Sequence, residues 1–173
     1  MRWTIKPKPD PSKVARLSKE LAVDSTTSFL LAQRGIETFE EAKNFFRPDL
    51  SDLHDPFLMK DMEKAVSRIE EAVENQENIL VYGDYDVDGT ASVALMSSYL
   101  LSFYPNVATY IPDRYEEGYG ISYKGIDFAE DNNFSLIIAL DCGIKAIDKV
   151  AYAFKKEVDF IICDHHRPGD EIP

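Results

Sequence analysis

No stretch of this chain approaches the roughly 18 consecutive apolar residues that a membrane-spanning helix needs, and the opening run MRWTIKPKPD has no apolar core behind its basic residues. Neither a spanning segment nor a secretory leader is expected, and a cytoplasmic location is. Cysteine is equally scarce. Cys142 and Cys163 are the only two, no CxxC pair exists, and each ends an apolar run. That speaks against a disulfide framework and a thiolate zinc site, and predicts two small buried thiols. Positive charge is short as well, and unevenly so. The formal net charge is −12; residues 1–68 hold 12 basic and 11 acidic residues, whereas residues 69–173 hold 7 and 20. A nucleic-acid-binding face draws most of its affinity from Lys and Arg neutralising phosphates. The acidic part of this chain offers no such face unless bound cations or a further basic domain supply the missing charge.

What is present, 45% hydrophobic and 29% charged residues in 173, suits a globular chain with one sizeable core and a small appendage. Residues 1–12 are Pro-rich and basic and should run extended. Short helices are expected over VARLSKELAV, SFLLAQRG (with Gly35 as a stop) and FEEAKNFF, then a loop, RPDLSDLHDP, bracketed by Pro48 and Pro56. The run MEKAVSRIEEAV places Met62, Ala65, Val66, Ile69, Ala72 and Val73 on one helical face. Beyond it the period changes to short apolar runs at helical separations. This predicts an α/β domain with a parallel sheet, helices on both faces and a helical N-terminal extension. The strands are expected at 79–83, 107–111, 135–140 and 158–163, with helices over Thr90–Phe103 and Ala146–Lys155. We set the boundary between extension and sheet domain at 75/76.

Ligands in such sheets sit beyond the carboxyl ends of the strands, and three strand ends here carry chemistry. The first runs into Gly83-Asp84-Tyr85-Asp86-Val87-Asp88-Gly89-Thr90, the third into Asp141-Cys142-Gly143, the fourth into Asp164-His165-His166-Arg167. Carboxylates crowded at one edge repel each other and resist desolvation unless a cation joins them. Oxygen donors with one or two imidazoles and no thiolate suit manganese or magnesium better than a closed zinc site. If the chain is extended there, alternate acids point the same way, and Asp86 and Asp88 hold adjacent ions. Two other motifs share part of this run. A calcium loop counted from Asp84 would need a carboxylate at its twelfth position, where Leu95 stands, and would follow a helix rather than a strand. DVDGT also resembles the nucleophile motif of haloacid-dehalogenase-type phosphatases, with Asp86 attacking phosphorus and Asp88 as acid/base, but that motif does not account for the Asp-His-His run.

Together, GDYDVDG, ALDCG and CDHHRPG resemble the first three motifs of the DHH phosphoesterase family, in the family's order and with similar separations, over residues 79–170. Small-molecule members carry a histidine four residues before the first acid of D-x-D. Tyr82 stands there in this chain, and the segment IPDRYEEGYGI and the lead-in LLAQRGIETFEEAKNFF are similar to the branch of the family that degrades single-stranded DNA. The resemblance implies a metal-dependent phosphodiesterase, a 5′ to 3′ exonuclease of single-stranded DNA in recombination and repair, using two Mn2+ or Mg2+ ions. It implies Asp86, Asp88, Asp141 and His165 as metal ligands with Asp84 a further member of the cluster, catalytic work for His166 and Asp88, and His166 facing substrate. Arg114 and Arg167 become candidates for phosphate contact and Tyr119 for a stacking face. A single-strand-binding protein is an expected partner. The family's fourth motif, another metal-binding aspartate, and a second substrate-binding domain would lie further on than Pro173, so the isolated chain is expected to be weakly active or inactive. Three alternatives remain: a DHH phosphodiesterase acting on short oligonucleotides or cyclic dinucleotides, a haloacid-dehalogenase-like phosphatase, and a non-catalytic metal- or partner-binding domain.

Overall fold

The computed structural model describes residues 2–173. The chain divides into two compact units, Met1–Leu58 and Met59–Pro173.

The first unit is helical. Helices α1 (Pro11–Leu21), α2 (Ser25–Gln33) and α3 (Phe39–Phe46) are each started by a side-chain cap. The Asp10 carboxylate accepts the Ser12 N–H at 2.8 Å, Asp24 accepts those of Thr26 and Thr27, and Thr38 with Glu41 closes a capping box. Each cap satisfies N–H groups that a helix start leaves open. Pro11 fits at the first position because its missing N–H would be unpaired there anyway, so α1 begins earlier than the apolar pattern from Val14 suggested. Gly35 adopts φ +81 just past α2, as a helix stop should. Between Pro48 and Pro56 the expected loop contains a short 3-10 turn at Leu50–Asp52, and a second follows at Pro56–Leu58.

The second unit is a four-stranded, wholly parallel sheet: β1 (Asn78–Gly83), β2 (Val107–Tyr110), β3 (Phe134–Leu140) and β4 (Asp159–Cys163), in the order β2-β1-β3-β4. Side chains alternate across it, and both faces are buried. One face packs Ile79, Val81, Leu136 and Ile138 against Ala72 of α4 (Met62–Glu74) and Val93 and Leu100 of α5 (Val87–Leu101). The other packs Leu80, Tyr82, Ile137 and Ala139 against Ile126 and Ala129 of α6 (Tyr123–Asp131) and Ala153 of α7 (Ile147–Phe154). Burial on both faces explains why β1 and β3 read as continuous apolar runs rather than alternating ones. At about 1.5–3 kcal/mol for each large aliphatic side chain fully buried, these two central strands supply most of the hydrophobic stabilisation of the unit.

Four expectations need correcting. Helix α6 was not foreseen; Gly125 in its first turn weakened the helical signal, although Ser122 caps it by accepting the Gly125 N–H at 2.9 Å. A Cβ at Gly125 would lie 2.6 Å from the ring of Tyr82, so the glycine is a packing requirement. Helix α5 starts three residues before Thr90, at Val87, because Asp86 caps it. Cys163 is exposed on the edge strand β4, whereas Cys142 is buried as expected. The D-x-D stretch is not extended, for the reason given below. No helix among the described residues is long and apolar enough to cross a membrane.

Two polar devices lock the sheet. Below its amino end, Arg68 of α4 bridges Glu77 and Asp159, each at 2.7 Å, and Glu77 also accepts the Ser135 hydroxyl. Burial alone would raise the Glu77 carboxyl, but Arg68 and Ser135 hold it below its ordinary value of 4.5. At the carboxyl end, the buried Tyr82 hydroxyl donates to the Gly120 carbonyl at 2.9 Å and accepts the Ser122 N–H at 3.2 Å, pinning the 119–122 loop. Two measurements follow. Tyr82→Phe leaves both backbone groups unpaired in a dry place and should lower unfolding free energy by about 1–3 kcal/mol, read from the urea midpoint. The Glu77 contribution is fully present above the unfolded value and fades as pH falls through the lowered folded one. Glu77→Gln should therefore cost stability at pH 7 and reduce the loss between neutral pH and pH 3; an unchanged slope would remove Glu77 from the acid response.

Candidate functional site

The chain leaves β1 toward one edge of the sheet and β3 toward the other, so the carboxyl ends of these neighbours form a switch point, where a crevice opens in sheets of this kind. The register then places three carboxylates side by side. Gly83 pairs with Leu140 and Leu140 with Cys163, so the next residues, Asp84, Asp141 and Asp164, emerge together, and the Asp141 N–H still donates to the Cys163 carbonyl at 2.9 Å. Asp141 stands in the left-handed region at φ 60, which aspartate tolerates better than most residues. Such backbone costs on the order of 1 kcal/mol and concentrates at functional sites.

Each acid is held differently. Asp84 is fully buried; one oxygen accepts the Gly120 N–H at 3.2 Å and the other, Oδ2, has no hydrogen-bond partner among the described residues. An orphaned buried carboxylate oxygen is rare and calls for a counter-charge. Asp86 is exposed and caps α5, accepting the Gly89 N–H at 3.0 Å, while Asp88 lies two residues on, within the first helical turn and exposed. The two acids of D-x-D thus straddle a helix start, and the same-side alternation of an extended chain does not apply. The turn is tight because Gly89 backs onto β1. A Cβ there would sit 2.4 Å from the Asp84 carbonyl oxygen.

Asp164 has no free capacity facing outward. Its Oδ1 accepts both the backbone N–H of His166 (3.0 Å) and a ring contact from His166 Nδ1 (2.8 Å), and its Oδ2 accepts the Ile144 N–H (2.9 Å). Burial works against ionising Asp164, but these N–H groups keep its carboxyl below the ordinary range, and Asp164 in return raises the His166 imidazole. With Nδ1 engaged, the other ring nitrogen is presented outward, 3.3 Å from the Tyr119 hydroxyl. His165 Nε2 meets Asp141 Oδ1 at 3.1 Å.

Asp141, His165 and His166 each offer one donor atom within 4.8 Å of the others, a grouping able to hold a metal ion. Asp84, Asp86 and Asp88 fall outside that tight group among the described residues. Their fields still converge: burial first, then Asp84, Asp141 and Asp86, push the Tyr119 phenol up to about 12. Burial and the same acids push the Cys142 thiol up to about 12, which removes it as a nucleophile.

An aromatic rim borders the acids. The Arg114 guanidinium lies 5.3 Å from the centre of the Tyr85 ring, Tyr85 meets Tyr119 edge-on at 6.0 Å, and Tyr119 meets His166 at 6.1 Å. Arg114 makes no ion pair among the described residues, since Glu116 binds Lys124 and Glu117 accepts from Tyr110, Ser122 and Asp113. Arg167 is exposed, also without an ion pair among those residues. Sequence reasoning had not singled out Tyr85 or the orienting role of Asp164. The adjacency of Asp164 to the histidine pair was the available signal for the second; nothing local marked the first.

Residues 78–173 match the family described as "DHH family, N-terminal domain". Over all 173 residues the chain is 42% identical to the single-stranded-DNA-specific exonuclease RecJ of Bacillus subtilis, of which it spans 22%. It is 33% identical over 146 residues to the Escherichia coli protein of that name, covering 83% of this chain and 24% of that one. Among solved structures, a manganese-bound exonuclease RecJ superposes on 66% of this chain and 30% of its own length, with TM-score 0.62 and 32% identity. RecJ from Thermus thermophilus in complex with Mn2+ shares the fold over 96% of this chain and 23% of its own, with TM-score 0.70 and 24% identity. With more than half of its residues inside the matched domain, and its motifs at the strand ends where the sheet gathers them, the chain belongs to the DHH family.

Proposed function

We propose that this chain carries metal-binding residues of a nuclease that hydrolyses phosphodiester bonds of single-stranded DNA from a 5′ end, in recombination and repair. The observation that carries the reading is the set of acids beyond three adjacent parallel strands, Asp84 and Asp141 with the Asp164-anchored histidine pair, in a chain 42% identical throughout to a single-stranded-DNA-specific exonuclease. The chain spans 22% of that relative, so further parts of a longer protein would share the work.

Manganese or magnesium fits the residues present. The donors are carboxylate oxygens and imidazole nitrogens without thiolate, and the orphaned Asp84 Oδ2 supplies a buried negative charge awaiting a partner. Asp84, Asp86, Asp88, Asp141 and His165 would hold two ions. Such ions supply charge neutralisation and Lewis acidity at a phosphate. The protein's own groups do the rest. His166, oriented through Nδ1 by Asp164, presents its outer nitrogen to the scissile group and steadies charge there or passes a proton to the leaving oxygen. Asp88, exposed in the first turn of α5, shares the catalytic work. Arg114 and Arg167 meet flanking phosphates, and Tyr119 offers an aromatic edge to a base. The cell compartment we infer is the cytoplasm, in keeping with two free thiols, and a single-strand-binding protein is a fitting partner.

Titration of the chain with manganese by calorimetry should show binding that disappears in Asp141→Ala and weakens in Asp88→Ala. Absence of binding by the unaltered chain would overturn the assignment of these acids as a metal site. In the longer protein, His166→Ala should lower turnover on a 5′-phosphorylated single strand by about 10²–10⁴ with little change in manganese affinity. Hydrolysis confined to dinucleotides, with long strands untouched, would replace the nuclease reading.

A further inference from the structure

A cleft of about 350 Å³ opens beside the site, lined by Tyr119, Asp164 and His166 together with Lys145 and Lys149. Ile121, Ile144 and Ala146 contribute to its lining, so it pairs an apolar surface with cationic groups. Its volume lies at the small end of those that enclose ligands, the size of a single nucleotide.

The charge pattern makes these lysines unusual. Only seven basic residues follow Arg68, in a stretch with 20 acids. Lys124 is neutralised by Glu116, and Lys156 by Asp127 and Glu130. Two of the remaining five line this one cleft. Lys145 makes no ion pair among the described residues, and Lys149 has only a long contact to Asp148 (3.5 Å) and lies over the Tyr123 ring at 5.4 Å. The single carboxylate in the lining, Asp164, is bound by three N–H contacts, two of them from His166. A cleft lined by His166, two lysines and apolar side chains matches a nucleoside joined to a phosphate better than a bare anion or a purely apolar ligand.

We propose that this cleft holds one nucleotide of the substrate strand next to the scissile bond, its phosphate drawn to Lys145 and Lys149 and its sugar and base laid on Ile121, Ile144 and Ala146. The proposal rests on the nuclease reading given above.

The test uses the isotopically labelled chain in metal-free, chelator-containing buffer, with amide NMR signals followed during addition of thymidine 5′-monophosphate, thymidine or inorganic phosphate. Thymidine monophosphate should shift residues 119–121 and 142–149, and thymidine and phosphate should each do so more weakly. Lys145→Glu should weaken binding about tenfold or more through reversed charge at short range, while Lys155→Glu, at the opposite end of α7, should change it less than about twofold. Unmoved signals at those residues would overturn the proposal, and so would equal losses in the two variants or phosphate matching the nucleotide. Because no metal is present, failure here together with manganese binding in calorimetry would remove the nucleotide cleft and leave the reading of the metal site standing. The reverse pair of results would remove that reading instead.

Discussion

The parallel pairing of β1, β3 and β4 brings three carboxylates to adjacent positions at the end of a buried sheet, and much of the rest of the unit answers that electrostatic problem. The placement is made by backbone hydrogen bonds and hydrophobic burial, both indifferent to charge. Gly83, Leu140 and Cys163 share a register row, and the sheet cannot slip by one residue without turning every apolar side chain to the wrong face. The acids therefore cannot move apart to relieve their repulsion, and relief has to come from hydrogen bonds or from cations.

The structure divides that relief unequally. Asp164 is satisfied by N–H groups of its own loop and of Ile144, and becomes an orienting group for His166. Asp86 gives one oxygen to the start of α5. Asp84 is half satisfied, and Asp141 keeps one oxygen on His165 at the expense of a left-handed backbone. The capacity left over lies on Asp84 Oδ2, buried and without a hydrogen-bond partner among the described residues.

The sheet was legible because parallel strands buried on both faces must be continuous apolar runs; ILVYG and SLIIAL admitted little else. The strand ends gave the acids, since the turn that follows a buried strand is where polar residues first become tolerable. Helix α6 was illegible because Gly125, required by the Tyr82 ring, lowers the helical signal at the very position where packing demands it. The extended reading of Asp86 and Asp88 failed for a related reason. Asp86 is a good cap, and a capping aspartate between a strand and an apolar helical run marks a helix start more strongly than an alternation of acids marks a strand. The rim formed by Arg114, Tyr85 and Tyr119 joins residues far apart in the sequence, and only tertiary folding reveals such a contact.

The absence of a side chain at Gly89 has a mechanical consequence. With no room for a methyl group between the first turn of α5 and the Asp84 carbonyl, the end of β1 and the start of α5 are in direct contact. Any side chain at position 89 would have to part the two, displacing Asp86 and Asp88 relative to Asp84.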